Sequence, residues 1–166
     1  MVEMIVVVTI LAIVGGTVML GIGIITGKPA EKCANKLQSL MQRNRITTMG
    51  KLEARLEIYM GDDECVYVKE VILTAGEASE KVTTSQIGEK GVKMYYRLNG
   101  ESSYQEIGGE SNPLIISYDR SSGAFKDLSP MGTGMAGRYC EEIKVEKGNK
   151  TKILKLITRT GKIMVE

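Results

Sequence analysis

MIVVVTILAIVGGTVMLGIGIIT, Met4–Thr26, is 23 consecutive residues without a charged side chain, and only Thr9, Thr17 and Thr26 carry a polar one. A helix needs about 20 apolar residues to cross a bilayer core. The run therefore predicts a membrane-spanning helix, because lipid offers backbone N–H and C=O groups no partners but each other. It is longer than the roughly 7–15 apolar residues of a cleaved secretory signal, and no basic stretch precedes it. Gly15, Gly16, Gly21 and Gly23 interrupt it. Small residues let membrane helices approach closely, and Thr17 and Gly21 form a small-xxx-small pair; ordinary membrane-helix composition explains the same glycines. Glu3 stands at the head of the run. A carboxylate entering hydrocarbon is costly and tends to be paired or functional, while at an interface a helix N-terminus favours the same charge.

Outward from this run, Pro29 marks a pause or restart. From Ala30 to Met49 the spacing is helical again: Cys33, Leu37, Leu40 and Met41 fall on one face. Lys32, Lys36, Gln42 and Arg43 lie largely elsewhere. Beyond it the pattern turns to strands. Leu52–Met60 and Cys65–Leu73 flank Gly61-Asp62-Asp63-Glu64, a hairpin signal. Thr74–Lys90 is polar with little periodicity and reads as a loop. Val92–Leu98 and Leu114–Tyr118 follow as strands, and Asp119-Arg120-Ser121-Ser122-Gly123 as a turn into Ala124-Phe125. Tyr139 to Val145, Thr151 to Thr158 and Lys162 to Val165 make a final meander. The expected architecture is α+β: a long N-terminal membrane/stem helix packed on a small antiparallel sheet. Residues 1–27 are the transmembrane and assembly helix, 28–50 an amphipathic stem helix, and 51–166 a β-rich globular head.

Charge is blocked along the chain. Net charge is +2, from +5 over residues 28–55, −6 over 56–137, +4 over 138–166 and Glu3. A plain nucleic-acid binder is usually more basic overall; alternating blocks suit subunits packed side by side or a solvated surface. Cys33, Cys65 and Cys140 fit no metal spacing, and histidine is absent. An odd count leaves at least one thiol unpaired; buried free thiols and a single disulfide such as Cys65–Cys140 both remain open. Gly132-x-Gly134-x-x-Gly137 matches a dinucleotide fingerprint in letters, but that motif works between a strand and a helix. Here Ser129-Pro130 precedes it and a strand follows, so it reads as a loop. Asp62, Asp63 and Glu64 cluster, yet calcium takes about six or more oxygens. With no activated nucleophile and no paired catalytic carboxylates in view, the expectation is a non-enzymatic chain without a cofactor or metal.

Two ends of the chain carry a resemblance. Met1-Val2-Glu3-Met4-Ile5-Val6-Val7-Val8-Thr9-Ile10-Leu11-Ala12-Ile13 resembles the N-terminus of type IV pilins and type II secretion pseudopilins, an acid just inside the mature end followed by an Ile/Val/Leu/Ala-rich helix. Thr151-Lys152-Ile153-Leu154-Lys155-Leu156-Ile157 with Thr160-Gly161-Lys162 is similar to the final strands of minor, H-type pseudopilins. Asp119 to Gly123 is similar to a turn between head-domain strands of that group. The resemblance implies that Glu3 pairs with the N-terminal amine of a neighbouring subunit during assembly. Val2, Met4, Ile5, Thr17 and Gly21 are the expected contact residues beside it. An unpaired buried carboxylate is costly, which favours an incoming amine.

By that resemblance the chain is a structural minor pilin or pseudopilin, membrane-anchored before assembly into a fibre used in secretion, adhesion, motility or DNA uptake. Its expected partners are other pilin or pseudopilin subunits, a membrane assembly platform and the bilayer through residues 4–26. Only Met1 and Val2 precede Glu3, so cleavage by prepilin peptidase and N-methylation are expected only if a leader exists. The expected location is single-pass membrane with an extracytoplasmic head, although Lys28, Lys32, Lys36, Arg43 and Arg45 taken alone would favour the cytoplasmic side. Two rivals stand beside it: a tip-located pilin binding a ligand or DNA through the basic C-terminal block, and an anchored domain that never polymerises.

Overall fold

The computed structural model of the chain describes residues 28–50, 53–73 and 79–166. It opens in helix α1, residues 28–50. The buried positions of α1 are Ala30, Cys33, Ala34, Leu37, Met41, Asn44 and Thr48, spaced as one stripe of a 3.6-residue helix. Ala30, Ala34 and Cys33 are small, so the first turns can lie close to the strands beneath. A Cβ on Gly88 would stand 3.0 Å from Val66 and 3.3 Å from Cys33 Sγ, so the bare backbone there is what admits the helix.

Nine strands follow among the described residues. Four form one antiparallel sheet in the order β3 (Lys81–Gly88), β2 (Val66–Leu73), β1 (Glu53–Met60), β6 (Leu114–Ser117). Five form a second in the order β5 (Gln105–Glu106), β4 (Lys93–Leu98), β7 (Cys140–Lys147), β8 (Lys150–Ile157), β9 (Lys162–Val165). Alternation sets the inner faces: Leu56 and Ile58 on β1, Met94, Tyr96 and Leu98 on β4, Ile143 and Val145 on β7, Leu154 and Leu156 on β8 are all buried. They join Leu37 and Met41 of α1 in a single apolar cluster.

Two short segments fasten the sheets to each other. At one, β5 pairs with β4, Ile107 N donates to Met94 O at 3.1 Å, and Met60 N of β1 donates to Gly108 O at 2.9 Å. At the other, Lys126 N donates to Ser117 O of β6 and Phe125 N donates to Thr158 O beyond β8, both at 3.0 Å. The rings of Tyr118 and Phe125 pack 4.7 Å apart beside that second fastening.

This corrects the expected architecture of a long helix on one small sheet. The described chain is mostly antiparallel sheet, in two sheets, with one helix over residues 28–50. The physical reason lies in β3. It falls inside Thr74–Lys90, read as loop because its residues Lys81–Thr84 are exposed on both faces and show no period-two apolar signal. Backbone pairing to β2, from Ile72↔Lys81 to Val66↔Gly88, makes it a strand nonetheless. The expected single-pass membrane location is corrected with it: no helix among the described residues is long and apolar enough to cross a membrane. Helix α1 carries Lys28, Glu31, Lys32, Lys36, Arg43 and Arg45, charges that hydrocarbon does not accept. The apolar run 4–26, on which that expectation rested, lies outside the described residues.

Candidate functional site

The most distinctive surface of the described chain is the outer side of α1 and the means by which the helix is held. Lys28, Lys32 and Lys36 recur every fourth residue and so form one row. Glu31, Asn35 and Ser39 form the adjacent row, and together the two rows line a shallow depression. Lys32 Nζ pairs with Glu89 at 3.3 Å and Lys36 Nζ donates to Gln86 O at 3.1 Å, so the row leans over the end of β3.

Further along the helix, Arg43 forms a fork on Glu70 of β2, with Nε on Oε1 and Nη2 on Oε2. The Glu70 side chain is 7% exposed and the Arg43 side chain 61%, so the acid is sunk under the helix while its partner reaches in from water. Arg45 Nε donates to Gly123 O at 2.9 Å, and Thr48 Oγ1 donates to Asn44 O at 2.9 Å. Three polar clamps (Lys36, Arg43 and Arg45) thus tie α1 to β3, to β2 and to the Asp119–Gly123 turn.

That turn is rigid for a definable reason. Asp119 Oδ1 accepts from Ser121 N, Ser121 Oγ, Ser122 N and Ser122 Oγ at 2.6–3.1 Å. These hydroxyl and amide donors hold its carboxyl well below the usual carboxylate range. Gly161, at φ +64, places its backbone against Gly123 O and Arg45 Nε, where a Cβ would collide. The two turns singled out in the sequence, Asp119–Gly123 and Thr160–Gly161, therefore meet at the Arg45 end of the helix.

The outer face of the five-stranded sheet carries a second cluster. Lys144 Nζ of β7 lies 4.7 Å from the ring centres of both Tyr95 and Tyr104. Arg97 Nη2 pairs with Glu142 at 2.7 Å, and the Tyr104 hydroxyl donates to the same carboxylate. Lys144 also pairs with Glu146 at 2.9 Å. Burial and then the bond to Glu142 push the Tyr104 phenol up. Both Glu142 oxygens are committed and each cation has an acid, so the cluster braces the sheet.

The sequence had marked other residues. Val2, Glu3, Met4, Ile5, Thr17 and Gly21 all lie outside the described residues. In the Gly61–Glu64 tip, Asp63 accepts from Cys65 N at 3.1 Å and from the Tyr67 hydroxyl at 2.8 Å, while Glu64 pairs with Lys90 at 3.4 Å. Asp63 thus serves the turn, and no group of three or more metal-binding side chains occurs among the described residues. Gly132, Gly134 and Gly137 sit in the loop between a short 3-10 turn, Ser129–Met131, and β7; Gly137 N donates to Asp127 at 2.8 Å. Cys33, Cys65 and Cys140 are all free and buried, so no Cys65–Cys140 disulfide forms. Sequence reading missed the Arg43–Glu70 fork and the Tyr95–Tyr104–Lys144 cluster. The alternation Glu142, Lys144, Glu146 between apolar Ile143 and Val145 was the available sign of a charged outer face.

Comparison with protein-family models, with curated proteins and with solved structures finds no match to the chain.

Proposed function

We propose that the chain is a structural, non-enzymatic subunit of the pilin-like type, a minor pilin or pseudopilin, that polymerises through its N-terminal segment and displays the two-sheet head on the resulting fibre. One observation carries this reading: Glu3 at the head of 23 residues without another charge. An acid in that position gains most from meeting a cation supplied by a neighbour.

The way α1 is fastened supports it. A subunit pulled through one end must pass load into its head. Arg43 on Glu70, Arg45 on Gly123 and Lys36 on Gln86 distribute that load over three attachment points rather than one loop.

Glu3→Ala tests the reading in the full-length chain expressed in its native cell. Sheared fibres and subunit cross-links are quantified against wild type, with the circular dichroism of the purified variant as the check on folding. Loss of fibre incorporation by about tenfold or more, with an unchanged head spectrum, is the expected result. Wild-type incorporation of the variant would sink the proposal.

A further inference from the structure

A sheet in a soluble head has edges, and each edge is a row of unpaired N–H and C=O groups that invites another strand. The described residues present four. The outer side of β6 is met by Lys126 N on Ser117 O and by the Tyr118↔Phe125 bridge. β5 is two residues long and β9 four. β3 is eight residues long and pairs only with β2.

The usual protections are missing from β3. It holds no proline, its one charge is Lys81 at the very start, and Val82 to Ile87 is six uncharged residues rich in β-branched side chains. Side-chain donors reach its backbone only near its end, from Lys36 on Gln86 O and from Gln86 Nε2 on Gly88 O. Lys81, Val82, Thr83 and Thr84 are exposed on both faces, Val82 by 52%. Half of the strand therefore stands clear of the helix, with room for a neighbour alongside.

We infer that the β3 edge pairs antiparallel with β3 of a second copy of this chain, a lateral contact beyond the N-terminal assembly proposed above. The sequence is self-complementary for this. A two-fold axis normal to the sheet keeps both faces continuous and must pass beside a residue paired with itself. Centred on Thr83, within the part of the strand clear of the helix, it sets Lys81 opposite Ser85 and Val82 opposite Thr84. Like charges directly opposite destabilise a strand pair, and here none are. The two copies of Lys81 stand about 14 Å apart at ~3.4 Å per residue, beyond the screening length of about 8 Å. An interface of one strand pair is smaller than the standard specific interface, so it is a weak contact that shows at high local concentration.

The test uses the purified full chain. Thr84→Cys is treated with a short bis-maleimide, with Arg120→Cys, on an exposed turn, as the control; Cys33, Cys65 and Cys140 are buried. Thr84→Cys is expected to yield a covalent dimer at least about tenfold more efficiently than Arg120→Cys, and equally well when combined with Glu3→Ala. In sedimentation, Thr83→Lys sets two lysines against each other at the axis and is expected to weaken the residual self-association of the Glu3→Ala chain by about tenfold or more. Equal cross-linking at positions 84 and 120, cross-linking of position 84 to a different protein only, or loss of the Thr84→Cys dimer with Glu3→Ala would each overturn the inference.

Discussion

Replacing Arg43 with methionine tests how α1 is held. The methionine keeps the aliphatic reach over the sheet but leaves Glu70, 7% exposed, without its cation. Removing one partner of a fully buried ion pair costs about 3–5 kcal/mol. Here only the acid is buried, since Arg43 is 61% exposed, so the loss should fall just below that range, about 2–3 kcal/mol. The stability difference between wild type and Arg43→Met is therefore expected to be about 2–3 kcal/mol at pH 7. Urea denaturation followed by far-UV circular dichroism reads it. Arg43→Met/Glu70→Met should recover most of the loss, because an apolar pair of similar volume needs no partner. A single variant within 0.5 kcal/mol of wild type, taken as about the scatter of neutral surface changes, or a double variant no better than the single, would refute the burial argument.

Two further outcomes follow from the same chemistry. Asp119 is held below its ordinary value of 3.8 by Ser121 and Ser122, so its contribution is complete above about pH 4 and is lost as pH falls below that value; Asp119→Asn should flatten the acid limb of a stability–pH curve while leaving the region above pH 5 parallel to wild type. Burial pushes the Cys33 and Cys140 thiols up to about 12, so neither should react with an aromatic disulfide reagent at pH 8 in the folded chain, whereas three thiols should react once it is unfolded in guanidinium.

Much of the β-structure was legible because burial leaves a period. Cys33, Leu37 and Met41 announced the buried stripe of α1, and Ile143/Val145 with Leu154/Leu156 announced the inner face of β7 and β8. What the sequence could not display was pairing without burial. β3 is polar on both sides and exists because β2 offers it a ladder, which no periodicity in Lys81–Gly88 records. Partition into two sheets was hidden for a different reason: β4 pairs with β7 some 50 residues later, and no local turn records that partner. The N-terminal resemblance, which organised the functional reading, bears on residues outside the described part, whereas the Arg43–Glu70 and Arg45–Gly123 clamps join positions 27 and 78 residues apart that no spacing rule links.

The fastening of Phe125 to Thr158 bears on how the head is made as it leaves the ribosome. The core that α1 lies on is shared with Ile143, Val145, Leu154, Leu156 and Ile163, all from the last quarter of the chain. A nascent chain ending near residue 138 has Leu37, Leu56 and Met94 in hand but lacks the strands that cover them, and Phe125 N does not yet have its acceptor, Thr158 O. Closure waits for the final hairpin. Until the last 30 or so residues are synthesised, apolar surface stays open to solvent, and it is this interval that a chaperone would have to cover.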